Sequence, residues 1–356
     1  MSEQRQIQAV GGVHEVCYGV PDLTAAEDYW AAFGFKPVAE GRIDAARARE
    51  LYGVDSAVEA LRLQHLDTDH GMLRLMRWER PLGPGIGVAP LRAHGSRWVG
   101  QFVRNMLEIS NHARVALKQG APILEVPPSF IDLSAYNPAL FGGEPPRPFV
   151  DRVLAVREYT LIQPLWRQAF LQRFNYDSAL LGRIDDDALL PCSQVVNASF
   201  MVTSDDPCVF DFYRDQLGLK AVGVQEIPYE QAMASRGVFD LREGECHWCY
   251  TFEEPRSGDS NDTRRSGRLY LFRFPTGSAL PDRLSQSQPG HLGCTLFTWR
   301  VRDAATLRQA CIDAGLNCGP LSPDEFGAHA FRCIAPDGMH WSFQQASSAE
   351  LASLSQ

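Results

Sequence analysis

The 356 residues carry 43 acidic and 34 basic side chains, a formal net charge of −9. This mild, well-mixed acidic balance excludes the basic face that nucleic acid or an anionic membrane requires. The length fits two domains, each able to bury a core, and no apolar run approaches the roughly 20 residues of a membrane span.

The N-terminus, MSEQRQIQ, lacks the apolar region of a signal peptide, so a soluble cytoplasmic protein is expected. Nine cysteines fit reduced, mostly buried thiols in that compartment. Cys246 and Cys249 form a CxxC inside a strand-like run. No second pair at metal spacing accompanies it, so structural thiols are expected there.

In chain order, Val13–Val20 is rich in β-branched and aromatic residues and reads as a strand. Pro21-Asp22 stops it, and Thr24 is placed to cap the following helix. Ala25, Ala26, Tyr29, Trp30 and Phe33 give that helix one apolar face. Gly34 ends it, and Phe35–Val38 starts the next strand. An amphipathic stretch (Ile43–Tyr52) and strands Ala57–Leu66 and Met72–Trp78 complete a first β-α-β-β-β module. After a Gly/Pro-rich linker, a second module has strand Trp98–Val103, helix Ile109–Gln119 and strand Pro122–Val126. A long Pro/Gly/aromatic insertion (127–149) follows, then strands Arg152–Val156 and Glu158–Gln163. Segments this long without regular structure are functional or mobile.

A connector follows, with a short helix expected around Trp166–Arg173 and a solvated acidic run, Asp185-Asp186-Asp187. The opening pattern then recurs. VNASFMVTSDDPCVFDFYRDQLGLKAV, from Val196, answers GVHEVCYGVPDLTAAEDYWAAFGFKPV, from Gly12. In it Phe212-Tyr213 matches Tyr29-Trp30, and Gly218-Leu219-Lys220 matches Gly34-Phe35-Lys36. The segments beginning at His70 and His94 recur, in order, at Ser266 and His291. A repeat at near-constant offset over half the chain marks an internal duplication. Modules three and four thus span about 194–276 and 290–346. Expected boundaries are a first domain over 10–165, a connector over 166–192, a second domain over 193–346 and a disordered tail over 347–356.

VPDLTAAEDYWAAFGF, DFYRDQLGLKAV and APDGMHWSFQQ resemble the vicinal oxygen chelate superfamily. It contains glyoxalase I, bleomycin-binding proteins and extradiol ring-cleaving dioxygenases. The resemblance covers nearly the whole chain and implies an α+β fold of four βαβββ modules. Consecutive modules would pair into two cupped, barrel-like domains. It says little about the reaction, because one fold of this kind hosts many chemistries.

The resemblance also implies metal ligands on the first and last strands of each module, usually His, Gln or Glu. The matching positions here are Glu15 beside His14, Arg74, Trp98, Glu158 or Thr160, Asn197 or Ser199, Tyr270, Leu296 and Ser342. Arg cannot ligate a metal and stays charged. The two His and one Glu of an iron dioxygenase do not fall in register. His94 and His291 precede their strands, though bulges can shift ligands. His65, His70 and His340 fall at strand ends or turns.

Three readings follow. The first is a metal-independent or unusually liganded lyase or isomerase acting on a small aromatic or carbonyl compound in the N-terminal cup. There Glu15 or Glu158 would serve as general base and Arg74 as anion anchor. Glu15 and Arg74 as a plain buried ion pair is the structural alternative. Trp98, Tyr136, Phe141, Tyr270 and Asn197 would line the pocket, with the insertion and its Phe130 as a lid. No cofactor is expected in this reading. The second is an extradiol-type dioxygenase with Fe, Mn, Zn or Ni held by Glu15, His94, Glu158 and His291. The third is a metal-free protein that sequesters a hydrophobic compound. The expected partner is a small aromatic or hydrophobic molecule, with neither nucleic acid nor membrane; a homodimer is compatible with all three.

Overall fold

The computed structural model describes residues 7–132, 146–176, 181–203, 208–255 and 267–353. Module one contains β1 (Ala9–Gly19), α1 (Leu23–Ala31), β2 (Phe35–Ile43), α2 (Ala45–Tyr52), β3 (Val58–His65) and β4 (Met72–Trp78). Module two contains β5 (Arg97–Val103), α3 (Met106–Lys118), β6 (Leu124–Asp132), β7 (Ala155–Ile162) and β8 (Arg167–Phe174). Module three has β9 (Cys192–Val202), a helix that begins as α4 (Cys208–Asp211) and continues as a π turn, and β10 (Lys220–Pro228). It closes with α5 (Met233–Val238), β11 (Cys246–Glu253) and β12 (Arg268–Arg273). Module four has β13 (Gly293–Val301), α6 (Ala304–Asp313), short strands β14 (Asn317–Cys318) and β15 (Ser322–Pro323), β16 (His329–Ile334) and β17 (His340–Gln345).

The repeated strand-helix unit has a local cause. Asp22, rather than Thr24, caps α1, its Oδ1 accepting from the backbone N–H groups of Thr24 at 2.8 Å and Ala25 at 3.1 Å. This fills two of the donors that a helix start leaves unpaired. Asp44, Asn105 and Asp303 cap α2, α3 and α6 in the same way. After α1 the chain turns at Gly34, at a φ of 86° that a side chain would resist.

Four modules do form two curled sheets, but the pairing differs from the consecutive one. One sheet runs β14-β16-β17-β13-β1-β4-β3-β2, with β15 beside β16, and so joins modules one and four. The other runs β10-β11-β12-β9-β5-β8-β7-β6 and joins modules two and three. In each, two first strands meet antiparallel at the centre, β1 with β13 and β5 with β9. Consecutive modules are tied by side chains instead. Tyr29 of α1 stacks on Trp166 at 5.0 Å, and its hydroxyl donates to Gln168 Oε1 at 2.5 Å. The rings of Tyr18 and Trp30 meet the same indole. The largest core cluster therefore lies between the two sheets and draws on all four modules.

Other expectations also shift. Trp166–Arg173 is not a helix; its residues from Arg167 on form β8, the last strand of module two. Both faces of β8 are covered at its start, so the sequence shows no alternation there. The strands expected over 152–156 and 158–163 are one strand, β7. β6 runs past Val126 to Asp132, into the segment taken as insertion. The acidic run is not wholly solvated, since Asp185 is buried and accepts from the Asp187 N–H. The tail holds a short helix, α7 (Ser348–Ser353). Part of the second repeat, 204–207, lies outside the described residues. No described helix is long and apolar enough to cross a membrane.

Candidate active site

The two cups differ in what fills them. In the cup of modules one and four, Glu15 from β1 and Arg74 from β4 project from the sheet, both fully buried. Arg74 donates through Nε to Glu15 at 3.0 Å and through Nη2 to Glu15 at 2.6 Å and Asp324 at 2.9 Å. Its Nη1 donates to Tyr52 Oη at 2.8 Å and Glu325 at 2.9 Å. Five bonds match the five N–H donors of a guanidinium. The other oxygen of Glu15 accepts from Arg62. Burial alone would push the Glu15 carboxyl up, but Arg74 and Arg62 together hold it well below the usual carboxylate range. Tyr52 comes from α2, and Asp324 and Glu325 from the segment before β16, so chain covers the concave face. Phe326 adds its ring beneath Arg62 at 4.1 Å and Arg74 at 4.9 Å.

This cup is therefore closed by its own charges. Arg74 has no donor left to anchor a ligand anion, and both Glu15 oxygens are committed to guanidinium groups. The N-terminal expectation for Arg74 is corrected here: it is the hub of a buried ion network. Glu15 neighbours Thr298 across the β1–β13 ladder, and Arg74 neighbours Cys17. The carboxylates of Glu15, Asp324 and Glu325 all pair with the buried Arg74 guanidinium, whose fixed positive charge among them opposes a divalent ion.

The cup of modules two and three is open. Its concave side holds two adjoining chambers of about 460 and 550 Å³, which share Trp98, Ile131, Glu158, Arg268, Tyr270 and Phe272. Period-two alternation places these on one face. Ser199 sits between Trp98 and Tyr270 in the ladders, and Asn197 between Gly100 and Arg268. Gly100 is required for this: a Cβ there would lie 2.9 Å from the Asn197 side chain. Trp98 stacks on Phe272 at 5.2 Å.

Glu158 is the acidic group without a counter-charge in this space. No described residue donates a hydrogen bond to it, and burial pushes its carboxyl up to about 7. The side chain retains some accessible area because the chamber reaches it, while protein surrounds it. Glu253, by contrast, is paired with Arg268 at 2.5 Å. Arg268 Nη1 also approaches the Tyr270 hydroxyl at 3.4 Å, and burial raises the Tyr270 phenol despite that cation. The Asn197 Oδ1 is buried without a partner. The cavity thus offers a neutralisable carboxyl, a phenol and an unpaired amide among aromatic walls.

Of the expected site residues, Trp98, Glu158, Asn197 and Tyr270 come together in this cup, while Glu15 and Arg74 lie in the other. Glu158 stands on β7 rather than on the module's last strand. Tyr136 and Phe141 fall outside the described residues, and Phe130 is exposed. The lining residues outside that expectation include Phe272, Arg268 and His247. Arg268 begins β12. His247 packs edge-on to Phe239 at 5.2 Å, near Phe272 and Phe274, with neither ring nitrogen bonded, and burial lowers it to about 4. Its period-two spacing with Cys249 and Thr251 was the available signal.

The alternative metal set does not assemble, since Glu15 and Glu158 occupy different cups. His94 Nδ1 instead meets Asp282 at 3.0 Å, and His291 Nδ1 meets the Gln288 carbonyl at 3.2 Å. Among the described residues the one group of three or more His, Cys, Asp or Glu with ligand atoms within 4.8 Å of one another is Cys311, Cys318 and Cys333, in neither cup.

No family model and no curated protein matches the chain. Solved structures do. A Bacillus subtilis protein provisionally described as a dioxygenase is 11% identical, with a TM-score of 0.52 over 95% of this chain and 86% of that one. A glyoxalase I variant from Zea mays is 12% identical, with a TM-score of 0.50 over 97% of this chain and 95% of that one. Together with the curled four-module sheets, these give the chain the vicinal oxygen chelate fold.

Proposed function

We propose that this chain is a lyase or isomerase that takes a small aromatic or carbonyl compound into the cup of modules two and three, with Glu158 as its general base. The carrying observation is the Glu158 carboxyl, unpaired inside an aromatic-walled cavity of substrate size. A carboxyl raised towards neutrality is matched to proton transfer near pH 7. Its carboxylate would take a proton from carbon next to a substrate carbonyl. The developing enolate oxygen would accept from the Tyr270 hydroxyl or the Asn197 amide. Returning the proton to a neighbouring carbon completes an isomerisation; expelling a leaving group from that carbon completes an elimination. Trp98 and Phe272 would hold a flat ring.

The glyoxalase and dioxygenase names of the structural neighbours support this only as analogy between folds. Among the described residues neither cup brings three or more His, Cys, Asp or Glu ligand atoms together, and the steps above use the chain's own groups. A sequestering protein is the second reading, favoured by the largely apolar walls. Thermal-shift screening with aromatic acids and ketones, followed by product analysis, tests both. Glu158→Gln is expected to keep binding and lose turnover by at least about a hundredfold. Undiminished turnover in Glu158→Gln would sink the catalytic reading, and tight binding without product would favour sequestration.

A further inference from the structure

Away from both cups, under α6 on the convex side of the first sheet, three cysteines converge from three elements. Cys311 lies in the last turn of α6, Cys318 in β14 and Cys333 in β16. Cys318 and Cys333 are direct partners in the antiparallel ladder. All three sulfurs lie within 4.8 Å of one another. Cys311 and Cys333 are fully buried and Cys318 is half-buried, which leaves one side of the trio reachable from solvent.

We propose that Cys311, Cys318 and Cys333 form a binding site for one thiophilic d10 metal ion, of the cuprous, zinc or cadmium kind. Metal–sulfur bonds of about 2.3 Å place three ligand sulfurs roughly 3.8–4.0 Å apart. The trio therefore needs only sub-ångström adjustment. Soft thiolates select this class of ion over magnesium, calcium or manganese. Each thiol that binds gives its proton to water, so no oxidant or reductant is required.

The backbone holds the three positions in place without an ion. The Leu316 N–H donates to the Cys311 carbonyl at 2.9 Å, closing the α6–β14 turn at Gly315. The Gly319 N–H donates to the Arg332 carbonyl at 2.9 Å, fixing β14 on β16. Charge is also balanced. Three thiolates on a monovalent ion carry a net charge of minus two, and two guanidiniums flank the trio. Arg308 donates to the Gly319 carbonyl at 2.6 Å, and the Arg332 side chain passes beside Gly319. Among the described residues no other cysteines gather in this way. Cys246 and Cys249, three apart on one strand, direct their sulfurs to opposite faces.

The test is titration of the reduced full-length protein with Cd²⁺, read by thiolate-to-metal charge-transfer absorption and by thermal denaturation. The expected result is a band that saturates at one equivalent, with a raised Tm. Cys318→Ser, at the half-buried position, should abolish the band while leaving the far-UV circular dichroism unchanged. Cys246→Ser should leave the band intact. If Cys318→Ser does not fold, direct cysteine–cadmium ligation in the wild type, read by the cadmium-113 NMR shift, decides between three sulfurs and fewer. No saturable band, a band that survives Cys318→Ser, or a shift indicating fewer than three sulfurs would overturn the site.

Discussion

Arg74 grips Glu15 through two nitrogens, Nε at 3.0 Å and Nη2 at 2.6 Å, in a concavity where neither side chain is exposed. Because Asp324 and Glu325 also lean on Arg74, removing this cation takes a buried counter-charge from three carboxyl groups and leaves Glu15 with Arg62. Breaking a buried pair by deleting one partner costs about 3–5 kcal/mol. Arg74→Met should therefore lower the stability of the folded chain by about that amount in urea denaturation. A variant of unchanged stability would mean that the network contributes nothing net.

Acid should unfold this protein through its histidines as well as its carboxylates. Burial lowers His14 to about 3, His65 to about 4, His247 to about 4 and His340 to about 3. Unfolded, each would titrate near 6.5. The unfolded chain thus binds more protons between about pH 6.5 and 4, and stability falls as pH falls through that window. At pH 5 each histidine contributes a loss of roughly 1–2 kcal/mol. Urea midpoints taken from pH 7 to 5 should drop steeply. A flat profile would mean that the rings reach solvent.

Much of this was legible in the sequence because the informative patterns are local. Asp22 before an apolar helical face, Gly34 after it and the recurrence of both near Phe212 and Gly218 gave the modules. Strand pairing is not local. The repeat reveals which segments are alike but not which meet, and Tyr29 on Trp166 ties modules one and two without pairing their strands. Trp98, Asn197 and Tyr270 were found because their strand positions point into a cup. Glu158 falls on the inward face by strand alternation, although its strand, β7, is followed by β8, whose buried start shows no alternation in the sequence. His247 lies between Cys246 and Cys249, a pair that reads as structural thiols, and a sequence does not show which face of that strand meets the cavity. Arg74 looked like an anchor because a sequence cannot show that Asp324 and Glu325, some 250 residues away, use its donors.

Glu158 should give the opposite pH signature to the histidines. Its folded value near 7 lies above the ordinary value of 4.5. Between those values the folded chain holds the extra proton, so this group's contribution to stability is present at low pH and is lost as pH rises to 7. Glu158→Gln should remove that slope and, at pH 8, raise stability by about 3 kcal/mol. In the wild type, any turnover that uses the carboxylate should rise with pH through the same region. An unchanged stability profile in Glu158→Gln would show that the carboxyl is solvated, and the base assignment would lose its support.

Gly100 tests whether the floor of the open cup positions the ligand. Its missing side chain is what makes room for the Asn197 amide, and a Cβ there would press on that side chain at 2.9 Å. Overpacking of this kind costs about 1–3 kcal/mol, most cheaply relieved by tilting Asn197 into the cavity. Gly100→Ala should therefore leave a folded protein whose affinity for a cup ligand is about tenfold weaker, equivalent to roughly 1.4 kcal/mol. Isothermal titration with the best ligand from the screen measures this directly. The first cup supplies the control: Cys17→Ala, beside Arg74 in the ladder, should lower stability without changing that affinity. If Gly100→Ala binds as well as the wild type, the ligand does not rest on the β5–β9 floor, and the opposite wall formed by β10 and β11 becomes the place to look.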